Sequence, residues 1–438
     1  MKPNILFLLP DQWRGDWWSG SGHGIGVHTP TLESLAGAGT VFHSATSPSP
    51  LCAPARACIA SGRRYEHCGV ASNKESYPRS IPTIYQAMQQ SGYHVMGCGK
   101  FDLHKPEYSW GPDGRNMLQE WGFSDGIDSE GKIDGVEAFK QGKTGPYLGF
   151  LAARGLAADH VKDFDRRGNY GTAPTILGDG EYCDNWIVGN AGRLLEQAPA
   201  GQPWFMQVNF TGPHFPYDIT CGMDTWYKNT DFPDPYSPSP SPGIDHLAIR
   251  RNYAAMIQNI DAGIARILDH PRVRAERQNT IIVFSSDHGE MLGDRGLYGK
   301  CVPFNGSIHV PLIVAGPGIQ ARQQVDTPVD ILDLAATFIA WSGSDEPEGM
   351  DSVGLSSLLG RTAPENQVNR PVYSALSIPG TPDHSWRMMI DEHFKYIRWT
   401  DGREQLFSRR DYFETSDLVP RDPGQTKYMR TLLEEVVK

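Results

Sequence analysis

The run Cys52-Ala53-Pro54-Ala55-Arg56 places a thiol two residues before a proline and four before an arginine. Proline suits the first turn of a helix, where its missing N–H is no loss. The spacing therefore predicts a helix whose first turn carries Cys52. An anion formed or held there is stabilised twice, by the helix N-terminus and by Arg56 one turn on. Four further sites each follow an apolar run: Asp11-Gln12, Lys100, His214 and Asp287-His288. Asp11, Gln12, Asp287 and His288 together offer mainly oxygen ligands and one imidazole, a set suited to a hard divalent cation such as Ca²⁺, Mg²⁺ or Mn²⁺. Asp11-Gln12 alone reads as a strand-end turn, whereas Asp287-His288-Gly289-Glu290 reads as a metal pair.

The elements that must position these residues follow from the apolar pattern. Asn4–Leu9, His94–Cys98, Trp204–Phe210, Thr280–Phe284 and Val310–Ala315 read as strands. They are continuous apolar runs, as expected of parallel strands buried on both faces. Helical patterns cover Pro30–Ala38, Ile81–Gln90, Leu247–Leu268 and Asp330–Trp341. This alternation predicts an α/β fold with a large, mostly parallel sheet sandwiched by helices. In such sheets ligands bind beyond the carboxyl ends of the strands, which is where the polar residues above fall. Pro233–Gly243 reads as a surface excursion. Gly, Ser, Glu and Pro accumulate between 340 and 370, which divides a catalytic domain, 1–365, from a small C-terminal α+β subdomain, 366–438. In the latter, Pro371–Ala375 and Trp386–Trp399 read as strands around an Asp391-Glu392-His393 turn, and Lys427–Val437 as a helix.

Composition narrows the partners. The net charge of -11 over 438 residues disfavours nucleic acid and anionic membrane surfaces, so an anionic substrate requires a local cationic pocket. Seven cysteines without close metal-ligand spacing argue against a disulfide framework and a structural zinc site. Ile5–Leu9 is too short for a signal segment, and no stretch reaches transmembrane length. A cytoplasmic protein is expected, with a trimmed leader left open. Apart from Cys52, the cysteines read as small hydrophobes or surface thiols.

Two stretches carry a specific resemblance: Cys52–Gly62 and Ser286–Lys300, the latter including Gly293-Asp294-Arg295-Gly296-Leu297-Tyr298-Gly299-Lys300. They resemble the type I, formylglycine-dependent sulfatases of the alkaline phosphatase superfamily, and the likeness runs from Asn4 to about Leu418. It implies an alkaline phosphatase-like sheet. It also implies oxidation of Cys52 by a formylglycine-generating enzyme to an aldehyde whose hydrate is the nucleophile. Asp11, Gln12, Asp287, His288 and the modified Cys52 would hold one divalent ion, Ca²⁺ ahead of Mg²⁺ or Mn²⁺. Arg56, Lys100, His214 and Lys300 would contact the sulfate or the hydrate, with His214 protonating the leaving alcohol. Two departures stand out. Gln12 replaces an aspartate found in many relatives. In Lys100-Phe101-Asp102-Leu103-His104, histidine comes four residues after the lysine rather than two. His104 is taken as the functional partner, with two alternatives: Asp102 fills that place, or Asp102 is a helix cap beside a surface His104.

The resemblance implies a small sulfate monoester as substrate, on a sulfated carbohydrate or an aryl or alkyl group; a homo-oligomer is left open. Trp13, Arg14, Trp17 and Trp18 either stack on the leaving group or pack a loop against the sheet. Asn73, Lys74 and Glu75 are further candidates for the pocket. A phosphonate monoester or phosphodiester hydrolase on the same fold is the alternative enzyme, because the anions are near-isosteric. A non-catalytic anion- or sugar-binding relative would require an unconverted Cys52. A phosphatase or mutase relative would want serine or threonine at position 52.

Overall fold

The computed structural model describes residues 2–236, 243–360, 370–378 and 384–437. A nine-stranded sheet runs β4-β3-β5-β1-β6-β7-β2-β8, with β9 also paired to β2. Its strands are β1 (Asn4–Leu8), β2 (Gly39–Thr46), β3 (His94–Gly99), β4 (Asp125–Asp128), β5 (Trp204–Asn209), β6 (Thr280–Phe284), β7 (His309–Ala315), β8 (Gln323–Val325) and β9 (Val329–Asp330). The block from β4 to β6 is parallel throughout. β7 turns antiparallel to both β6 and β2, so the sheet is mixed and mostly parallel, as the sequence pattern implied.

The central strands β1, β5 and β6 are buried along their whole length. Successive side chains point to opposite faces of a strand. Ile5, Phe7 and Leu9 accordingly join one hydrophobic cluster, and Leu6 and Leu8 the other. The helix His246–Leu268 packs into the second. On the first face, Phe338 of the helix Asp333–Ser342 sits against Phe7 and Phe205, with ring centroids 5.2 and 5.4 Å away. Gly99 ends β3 at φ +101, where a Cβ would stand 1.8 Å from the Asn209 carbonyl oxygen. Only glycine lets the chain leave β3 so close to β5, and the next residue is Lys100.

The C-terminal region forms a four-stranded antiparallel sheet of β10 (Val372–Leu376), β11 (Trp386–Ile390), β12 (Phe394–Trp399) and β13 (Glu404–Ser408), with the helix Pro423–Val437 against it. Its buried side chains belong to the same cluster as one face of the large sheet. The expected boundary at 365 lies outside the described residues, as does 237–242 within the Pro233–Gly243 excursion. Among the described residues, no helix is long and apolar enough to cross a membrane.

Phe338→Ala should remove about 3–5 kcal/mol of stability, the usual cost of emptying a buried aromatic site. Chemical denaturation measures it directly. A loss below about 1 kcal/mol would show that Phe338 does not tie its helix to the sheet.

Candidate active site

Every polar doublet or singlet noted in the sequence emerges at the carboxyl edge of the parallel strands. Asp11 and Gln12 follow β1, Lys100 follows β3, His214 follows β5, and Asp287 and His288 follow β6. The helix Cys52–Ser61 starts at the same edge, with Cys52 as its first residue and every residue buried. Leu51, in the capping position, has no side-chain acceptor to offer. Asn73 takes over that task from a distant loop, its Oδ1 accepting from the Ala53 N–H at 3.0 Å. Gly62, at φ 68, closes the other end.

Asp11, Cys52, Asp287 and His288 form a buried cluster whose ligand atoms lie within 4.8 Å of one another. The Cys52 Sγ is 3.3 Å from His288 Nε2 and 3.7 Å from Asp11 Oδ1. His288 Nδ1 lies 3.1 Å from the Gly289 carbonyl, an acceptor, so Nδ1 carries the proton. The Nε2 lone pair then faces Asp11 Oδ1 and Asp287 Oδ2, both at 3.6 Å. Acceptors turned toward one another in a buried site repel unless a cation stands between them. The donor set therefore fits a hard divalent ion. Gln12 borders this cluster: its Oε1 accepts from Lys300 Nζ at 2.7 Å, and its amide donates to Glu290.

Fixed cations surround the carboxylates. The Arg56 guanidinium lies 2.9 Å from Asp287 Oδ2 and 3.7 Å from Asp11 Oδ2. Lys100 pairs with Asp11 and, at 2.9 Å, with Asp102. Lys300 Nζ is 3.1 Å from the Cys52 Sγ. Burial raises the Asp11 carboxyl, but Lys100 first, then His214, Lys300 and Arg56, outweigh it and hold it well below the usual carboxylate range. Asp287 goes the other way, pushed up by burial and by the Asp11 charge despite Arg56. Burial and Asp11 push the Cys52 thiol up, yet Lys100 and Lys300 hold it well below its ordinary value. Burial and the Lys300 charge push the His214 imidazole down to about 4, so it is neutral at neutral pH. The site as a whole favours negative charge at position 52.

A cavity of about 460 Å³ opens over Cys52, with Asp11, Lys100, His214 and Lys300 on its inner wall. Asn73 and Lys74 line it as expected, but Glu75 does not: its carboxylate accepts from the Ala71 N–H at 2.7 Å. His104 is a correction. Its ring is buried away from the cavity against Trp121, at 4.9 Å between centroids, and 3.5 Å from Asp128. Asp102 is the residue that reaches the lysines, pairing with both Lys100 and Lys105. That pairing offsets the repulsion an unpaired carboxylate would exert on an anion. The tryptophans resolve to packing: Trp13, Trp17 and Trp18 are buried, and the Trp13 indole donates to the Trp17 carbonyl. Arg14 pairs with Asp16 and Asp294.

The sequence reading missed Lys105, Tyr108 and Lys132 on the cavity wall. Lys132 follows β4, so the strand-end rule would have found it. However, Asp125-Gly126-Ile127-Asp128 is too polar to read as a strand. Glu290 was quoted in a motif without a role. Its carboxylate accepts from the N–H groups of Leu292 and Gly299 and from the Gln12 amide. It thereby links the end of β1 to the loop that presents Lys300.

This sheet, with a buried cluster of ligand side chains at its carboxyl edge, is of the alkaline phosphatase-like class. The sulfatase family model matches residues 3–344, and a second, described as N-sulphoglucosamine sulphohydrolase, C-terminal, matches residues 293–436. The chain belongs to the sulfatase family and is a sulfuric ester hydrolase. It is 27% identical to a choline-sulfatase of Rhizobium meliloti over 96% of this chain and 84% of that one. Its fold is similar to that of the phosphonate monoester hydrolase of Agrobacterium radiobacter, with a TM-score of 0.82, 23% identity, and 99% and 95% of the two chains covered. It is also similar to BT4656 in complex with its substrate D-glucosamine-2-N,6-O-disulfate, with a TM-score of 0.80, 19% identity, and 100% and 97% covered.

The turn carrying Lys132 begins at Glu130, whose carboxylate accepts from the N–H groups of Tyr147 and Leu148. Burial, only partly countered by these bonds, pushes its carboxyl up to about 7. The folded protein thus holds this proton more tightly than the unfolded chain. The resulting stabilisation is full below the ordinary glutamate range and is lost as pH rises through 7. Between about pH 5 and 8, Glu130→Gln should gain about 2–3 kcal/mol relative to wild type. Paired denaturation curves measure this, and a difference independent of pH would refute it.

Proposed function

We propose that the protein hydrolyses sulfate monoesters over Cys52, converted to formylglycine, with one divalent cation held by Asp11, Gln12, Asp287, His288 and the modified residue. The observation that carries this reading is the convergence of Asp11, His288 and Lys300 within 3.7 Å of the Cys52 sulfur at the start of its helix. Ca²⁺ is favoured over Mg²⁺ or Mn²⁺ because the donors are mainly oxygens on separate loops, a set that tolerates a larger ion. The aldehyde hydrate would supply the nucleophile, and a divalent ion held by these residues would supply positive charge beside it and beside the ester oxygens.

The chain's own residues do the rest. Arg56 fixes the Asp287 carboxylate from behind and keeps it aimed at the cluster. Lys100 does the same for Asp11. Lys300 has no carboxylate partner among the described residues, which leaves it to bind an ester oxygen as charge develops. His214 lines the cavity as a neutral imidazole. A bound sulfate raises its proton affinity, the direction needed to protonate a leaving alcohol. The relatives named for choline sulfate and for a disulfated glucosamine support small alkyl or sugar sulfates as the substrate class.

Protein co-produced with a formylglycine-generating enzyme should show the aldehyde in the mass of the Cys52 peptide. It should hydrolyse an aryl or sugar sulfate faster than a phenyl phosphonate monoester or a phosphodiester. Cys52→Ala should lose at least about 10³-fold in kcat, as expected for removal of a nucleophile. Faster phosphonate turnover would instead assign the alternative hydrolase class. Chelation should abolish turnover, with Ca²⁺ restoring it better than Mg²⁺ or Mn²⁺. Equal rescue by Mg²⁺ would overturn the choice of ion.

A further inference from the structure

We propose that the rim of the cavity is a second anion subsite, centred on Lys74, which binds another carboxylate or sulfate carried by the leaving group. The inference rests on the sulfatase reading above. The chain carries a net charge of -11, yet five lysines and only two aspartates line this cavity. Most of that positive charge is already matched. Lys100 pairs with Asp11 and Asp102, Lys105 with Asp102 and Asp134, and Lys132 with Asp218. Lys300 stands over Cys52, where the reacting group must lie. Lys74 is left over. It is exposed at the rim, whereas Cys52 is buried at the floor, and no carboxylate pairs with it among the described residues.

The backbone that carries it is held in place. Asn73, next to it, bonds the Ala53 N–H of the nucleophile helix, and the Lys74 N–H donates to Ser72 Oγ at 3.3 Å. The adjacent acid, Glu75, is turned to the Ala71 N–H and the Ser72 hydroxyl and leaves the Lys74 ammonium free. A cavity of about 460 Å³ is far larger than one sulfate group, so the leaving group also lies inside it. Tyr108 and Phe215 give that group flat apolar walls. A monoester brings a single negative charge, which Lys300 meets at the floor. An anion further along the leaving group would meet Lys74, the lysine at this rim without an acid partner among the described residues.

The test compares 4-carboxyphenyl sulfate with its methyl ester, which differ in one charge and little in size. Their intrinsic reactivities cancel when a variant is compared with wild type. The ratio of kcat/KM, acid over ester, should fall about fivefold in Lys74→Ala, further in Lys74→Glu, and little in Lys74→Arg. Added salt should lower the ratio in wild type more than in Lys74→Ala. A ratio unmoved by Lys74→Glu would overturn the subsite and leave the sulfatase reading intact. If wild type with a confirmed Cys52 aldehyde turned over neither ester nor any sugar sulfate, both would fall.

Discussion

Two carboxylates, Asp11 and Asp287, lie fully buried side by side at the ends of the adjacent strands β1 and β6. Unpaired, such a pair would cost several kcal/mol per ion in lost hydration. The surrounding structure answers that cost. Arg56 reaches from the second turn of the Cys52 helix and Lys100 from the end of β3. Breaking one member would leave a buried charge without a partner, which ties the geometry of the site to the stability of the sheet edge. The same arrangement fits a divalent cation and favours negative charge at position 52.

The scaffold achieves this with short, stiff connections. Glycine at position 99 lets β3 deliver Lys100 beside β5. Asn73 pins the start of the Cys52 helix, and Glu290 pins the Lys300 loop to Gln12. Asn73 and Glu290 each meet a backbone donor that would otherwise be buried without a partner. A site held this way keeps its donors aimed before substrate arrives, which is what charge stabilisation in a transition state requires.

Much of the fold was legible because buried parallel strands are apolar without interruption. β6 and the helix Pro30–Ala38 match their expected bounds, and β1, β3, β5 and β7 differ by a residue at one end. β4 was missed because it is short and polar. β2 also escaped, since its mixture of Gly, Thr, His and Ser lacks a clear period. Within the site, Asp11, Gln12, Lys100, His214, Asp287 and His288 converge as the strand-end rule implied, and Cys52, Arg56 and Lys300, singled out by motif, join them. His104 does not, because the loop geometry at Asp102 decides which side chain reaches the lysines. At Asp102, φ is 56, which turns its carboxylate to the lysines and sends His104 into the aromatic core.

The sequence by itself determined the α/β class, the sulfatase family and most of the residues that meet in the buried cluster at the sheet edge. These depend on strand hydrophobicity and on short motifs in which neighbours along the chain are also neighbours in space. Only the tertiary structure decided which lysines are matched by acids, where the Trp13–Trp18 segment packs, and that Lys105, Lys132 and Tyr108 join the cavity wall. Those outcomes depend on contacts between loops tens to hundreds of residues apart, and no local pattern encodes them. The charge left over at Lys74 is likewise a sum over several loops, visible only once every other partner has been placed.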